Sequence, residues 1–213
     1  MGTYLKGILG PFSGTVGAVV GASFRGKDVM RSRPRKSSKL PTLLQEVQRA
    51  KFTKATQLLS PARMVLSNYF GVPTGAKSRF NMAMAYHLQN AIMYDGLEAF
   101  VDYEKVELAK GSLLGFQNLK CENRTSGELN FTWEDNSNQG EARPTDVVKV
   151  VLLQKDTTQY EFFLNVGTRE EGSQKITLPT YLQGTEQYVY AFLVSQNNKA
   201  YATSQYLGSF TIT

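Results

Sequence analysis

The sequence predicts an α+β protein: a glycine-rich β-hairpin and basic arm, three helices, then a seven-stranded antiparallel β-sandwich. Three observations carry this. Apolar residues recur at helical spacing from about residue 43 to 92. From about Val101 the pattern changes to alternation. Turn signals then cut the second half into short segments. The reading divides the chain into residues 1–100 and residues 101–213.

The opening segment is glycine-rich. In residues 15–24 (TVGAVVGASF), Val16, Ala18, Val20, Ala22 and Phe24 fall on one face of an expected strand. Arg25-Gly26-Lys27-Asp28 supplies a turn, and residues 29–33 return. The glycines opposite admit two readings: a flat face against a neighbouring element, or close approach of another backbone or a ligand. Gly7, Gly10, Pro11, Gly14, Gly17 and Gly21 oppose the helix of a signal peptide, and the apolar run is too short to span a membrane. The expected address is therefore the cytoplasm, without a cleaved signal peptide, or the interior of a virion or large assembly.

The charge is uneven. The net value is +6, yet residues 1–79 hold 14 Lys and Arg against 2 Asp and Glu. The tract RSRPRKSSKLP contains Arg31, Arg33, Arg35, Lys36 and Lys39 and no acid. Its prolines and serines keep it extended, and its density of positive charge opposes burial. It is either a solvated linker or an arm that lies on a polyanion through phosphate contacts. With Arg25 and Lys27 before it and Arg49, Lys51 and Lys54 after it, it forms the candidate contact set for a polyanion or a protein partner.

Thr42 and Gln45 form a capping box for a first helix through Leu44, Val47, Phe52, Ala55 and Leu59. Ser60-Pro61 reads as the start of a second, which ends at Gly71. A third, capped by Ser78, carries Phe80, Ala83, Met84, Leu88, Ala91 and Ile92 on its buried face. His87 sits beside that stripe without catalytic or ligating partners and reads as a half-buried histidine bonded to a carbonyl. The acids Asp95, Glu98, Asp102, Glu104 and Glu107 read as a solvated linker, with a further strand expected near residues 106–110.

The second half offers candidate strands at 113–121, 128–135, 146–155, 159–166, 174–178, 187–195 and 204–212. A single cysteine, Cys121, excludes an internal disulfide and reads as a small buried hydrophobe. Loop residues Asn136, Asn138 and Arg169 read as exposed. LNFTWED around Trp133, the pair Leu178-Pro179, and Tyr188-x-Tyr190-x-Phe192 resemble a fibronectin type III module over residues 112–213. The resemblance implies that Trp133 packs between sheets and that the Tyr188 hydroxyl anchors a corner.

The opening KGILGPFSGTVGAVVG together with Gln48-Arg49-Ala50-Lys51-Phe52 is similar to a Bacteroidota protein family of about 210 residues, a domain of unknown function. It implies a non-enzymatic protein and brings no activity or binding residues. No phosphate-loop spacing occurs, one histidine disfavours histidine-based catalysis, and no cofactor or metal site is expected. The function expected is interaction or assembly, in a phage virion or other large bacterial particle. The alternative is nucleic-acid binding through residues 25–63.

Overall fold

A computed structural model describes residues 2–3, 12–24, 26–36, 38–75, 77–125 and 127–212. The chain divides into two compact units, Met1–Thr42 and Leu43–Thr213. Among the described residues, no helix is long and apolar enough to cross a membrane.

The first unit is a small antiparallel sheet of β1 (Gly2–Thr3), β2 (Gly14–Val16), β3 (Val19–Phe24) and β4 (Lys27–Ser32), ordered β1-β4-β3-β2. The expected single strand over 15–24 is broken by a turn at Gly17-Ala18. Gly17 takes a positive φ of 58° there, which glycine adopts without steric cost. Gly21 records a close approach of another backbone: a Cβ there would collide with the carbonyl oxygen and ring of Phe12.

The second unit begins with α1 (Leu43–Leu59), α2 (Arg63–Tyr69) and α3 (Arg79–Asn90). Ser78 caps α3 as its sequence implies, its Oγ accepting the Asn81 N–H at 3.2 Å. Ser60 and Pro61 instead lie in the turn before α2, whose N-cap position is Ala62 and has no side-chain cap. A hairpin follows, β5 (Ile92–Tyr94) and β6 (Ala99–Val101). Asp95 stabilises its turn by accepting the Leu97 and Glu98 N–H groups at 2.8 and 2.9 Å. Three of the five acids expected in a solvated linker are therefore structural: besides Asp95, Asp102 pairs with Lys105, and Glu107 binds both Tyr86 and Lys110, whereas Glu98 and Glu104 are exposed. Residues 106–110 form no strand; Lys110 bridges to Phe70.

The sandwich strands are β7 (Gln117–Thr125), β8 (Glu128–Glu134), β9 (Val147–Gln154), β10 (Tyr160–Thr168), β11 (Ser173–Thr177), β12 (Glu186–Val194) and β13 (Gln205–Thr211). They form two antiparallel sheets, β11-β8-β7 and β10-β9-β12-β13, a fibronectin type III-like arrangement. Their inner faces share a core in which Leu129, Phe131 and Trp133 meet Val150, Leu152, Val189 and Leu193. The outer face of the second sheet is buried as well. Val151, Leu153, Tyr190 and Phe192 pack with Leu58, Leu59, Leu66 and Phe70 of the helical segment. This double burial explains the almost unbroken apolar run of β9, VVKVVLLQ. The helices therefore form a third layer on the sandwich.

Trp133 packs between the sheets, its Nε1 donating to the Arg169 carbonyl at 2.7 Å. Tyr188 does not occupy the position that the resemblance implies. It lies on the helix-covered face, stacked at 4.0 Å on Tyr103. The hydroxyl that ties this strand to distant backbone belongs to Tyr190, which donates to the Tyr103 carbonyl at 2.9 Å. The alternation of side chains sends residues 188, 190 and 192 to the helices and 189, 191 and 193 to the other sheet.

Candidate docking surface

The basic residues of the first unit lie on β4 and the segment after it. Along β4, Lys27, Val29 and Arg31 point to one side. Lys27 pairs across the ribbon with Phe24, and Arg31 with Val20. Val29 is buried, so one face carries Lys27 and Arg31 on either side of an apolar centre, with Phe24 55% exposed beside them. Beyond Ser32 the chain leaves the sheet, after the Arg33 N–H bonds to the Ala18 carbonyl at 2.8 Å. Arg33, Arg35, Lys36 and Lys39 are all exposed. Arg25 lies outside the described residues.

On α1 the expected basic set does not share a face. At about 100° per residue, Arg49 points roughly opposite to Lys51, while Lys51 and Lys54 are neighbours. Lys51 is half-buried on the side of Ala55, whereas Arg49 and Lys54 are exposed. Among the described residues, none of Lys27, Arg31, Arg33, Arg35, Lys36, Arg49, Lys51 and Lys54 takes part in an ion pair.

Sequence reasoning missed the apolar part of the surface. Leu44 and Phe52, expected in the buried stripe of α1, are 77% and 54% exposed. Only Ala55, Leu58 and Leu59 are buried on this helix. Val47, Ala50 and Lys51 are half-buried, so the first turns of α1 are only partly covered. Val16, Val19, Met30 and Leu40 of the first unit are exposed too. Of the fifteen exposed large hydrophobic residues among those described, five (Val16, Val19, Phe24, Met30 and Leu40) lie in the first unit, and Leu43, Leu44 and Phe52 lie on α1 of the second.

Other candidate groups have structural roles. His87 is fully buried at the centre of the α3 face, not half-buried beside it. Its Nδ1 donates to the Ala83 carbonyl at 2.7 Å, and its Nε2 accepts the Glu107 N–H at 3.2 Å, which fixes a neutral ring. Burial lowers its pKa. Burial raises the Cys121 thiol to about 12. Arg169 and Asn136, expected in exposed loops, are buried. The Arg169 guanidinium donates to Asp146 Oδ2 at 3.1 Å, to the Leu114 and Gly115 carbonyls at 2.7 and 3.3 Å, and to Asn136 Oδ1. Its planar fork thereby closes one end of the sandwich.

An open groove of about 470 Å³ lies between α1 and the β9–β10 turn, lined by Lys54, Gln57, Tyr103, Asp156, Thr157 and Gln159 among others. These offer one cation, one carboxylate and several neutral polar groups. Among the described residues, no group of three or more His, Cys, Asp or Glu side chains is placed to hold a metal ion.

A family model described as "Family of unknown function (DUF6266)" matches residues 11–208. No curated protein matches the chain. Among solved structures, one described as "Myokine structure" is 16% identical, with a TM-score of 0.35, and covers 47% of this chain and 98% of its own. The fn3 domain of human collagen alpha-1(XX) chain is 14% identical, with a TM-score of 0.31, and covers 49% of this chain and 85% of its own.

Proposed function

We propose that this chain, which belongs to the DUF6266 family of unknown function, is a non-enzymatic interaction and assembly protein. One observation carries the reading: in the first unit the apolar side chains Val16, Val19, Phe24, Met30 and Leu40 are exposed, as are the cations Lys27, Arg31, Arg33, Arg35 and Lys36, none of which takes part in an ion pair among the described residues. Isolated exposed hydrophobics need no explanation, but a concentration of them marks a surface that a partner covers. A structural component of a phage virion or another large bacterial particle fits this design.

Nucleic-acid binding through residues 25–63 draws on the same cations. The apolar neighbours disfavour it, because nucleic-acid interfaces are polar as well as basic. The divergence of Arg49 from Lys51 and Lys54 weighs the same way. The test is the mass of the native particle that contains the chain, with absorbance at nucleic-acid wavelengths recorded. A protein particle of fixed stoichiometry is expected. A free monomer would overturn the proposal. Copurifying nucleic acid that salt releases from the chain would favour the alternative.

A further inference from the structure

We infer that the surface of the first unit is covered by the acidic end of the sandwich of a second copy, so that copies join head to tail. This rests on the docking reading above and names the partner.

The described residues of the first unit bury little apolar surface. Val29 is the one hydrophobic residue buried in it among those described. Segments of about 40 residues are marginal without a disulfide, a metal or association. The chain's single cysteine is Cys121, far outside this unit, and no metal-holding cluster occurs among the described residues. Association with an exposed partner surface is one means of stabilising such a segment. Residues 1–42 hold eight Lys and Arg against one Asp, so the partner surface must be acidic.

The chain itself carries such a surface. Residues 111–213 hold 8 Lys and Arg against 11 Asp and Glu. Glu134, Asp135, Glu141, Glu170 and Glu171 are all exposed at one end of the sandwich, where they outnumber the exposed cations Lys120, Arg143 and Lys199. The buried guanidinium of Arg169 joins this end together. It binds Asn136 and Asp146, the Trp133 N–H bonds to the Gly172 carbonyl, and the Glu170 N–H bonds to the Pro144 carbonyl. The carboxylates therefore sit on a rigid frame, which lowers the ordering cost of binding. Because the two surfaces differ, the contact is heterologous and builds rings or open chains.

Sedimentation velocity of the purified full chain, over a range of concentration and salt, tests this. Association that weakens with salt is expected. Arg31→Glu with Arg33→Glu forms one variant, and Glu141→Lys with Glu170→Lys the other. Each alone raises the dissociation constant about tenfold or more, as like-charge juxtaposition requires. Mixing the two restores association, since each retains the surface that the other lacks. Matching circular dichroism melts separate a lost contact from a lost fold. A wild-type chain that stays monomeric overturns the inference, as do variants that associate like the wild type. If the monomeric chain nevertheless resides in a native particle with a different protein, the docking reading stands and self-association falls. If the monomer binds a DNA fragment in a salt-dependent manner, both give way to the alternative.

Discussion

His87 shows what a single side chain contributes and why charge count alone does not reveal it. A histidine beside an apolar stripe can be a ligand, a base or a core residue. Here the Glu107 N–H points at Nε2, so a second ring proton would face a donor rather than an acceptor. Burial lowers the ring's pKa, and the Ala83 bond and the Glu107 carboxylate only partly oppose it. The unfolded chain, with an ordinary pKa near 6.5, therefore takes up the proton first as pH falls. Stability from this residue is complete above about pH 6.5 and is lost as pH drops towards the folded-state value. Denaturant midpoints measured between about pH 7.5 and 5.5, above the carboxylate range, should fall for the wild type. His87→Gln should start less stable and show a flatter slope. Equal slopes would remove His87 as the source.

At the scale of elements, the sandwich strands were legible because turn residues separate alternating runs. Ser126-Gly127, Asp156-Thr157 and Asn197-Asn198 stand between strands, with Gly127, Asp156 and Asn198 at positive φ. The β5–β6 hairpin was hidden because the helical stripe of α3 continues through Ala91 into Ile92. The first sandwich strand begins at Gln117 rather than 113, because Leu113 makes an isolated bridge to Ala202 instead. The third layer was unread, although the apolar run of β9 carries its signature. The candidate surface was half legible: the sequence contains its cations, but only the fold tells which apolar residues stay uncovered. That Leu113–Ala202 crossing makes a prediction of its own. A Cβ on Gly111 would overlap the Tyr201 carbonyl oxygen, a backbone atom with little room to yield. The Tyr201 hydroxyl also bonds to the Gly71 carbonyl at 2.6 Å, tying this strand end to the helical segment. Gly111→Ala should destabilise the second unit by about 1–3 kcal/mol, as overpacking does. Chemical denaturation would measure it, and an unchanged midpoint would mean that the crossing shifts freely.

The whole molecule joins a body with a continuous core to a unit whose described residues bury one hydrophobic side chain, Val29. Helices and sandwich share buried side chains, from Leu59 and Phe70 to Val151 and Phe192, so residues 43–213 should unfold in one cooperative transition. The extended segment before α1 has the opposite character. Arg35, Lys36 and Lys39 are exposed and lie outside regular structure, where proteases cut first. Brief trypsin treatment of the dilute chain at high salt should therefore cleave after Arg35, Lys36 or Lys39 and leave a resistant body with the original melting temperature. At high concentration and low salt, the second copy should shield the same bonds and slow the cleavage. Mass spectrometry of the fragments reads both conditions. First cleavage inside the sandwich would contradict the division of the chain after Thr42. Equal rates at these arm sites in the two conditions would mean that no second copy covers the arm.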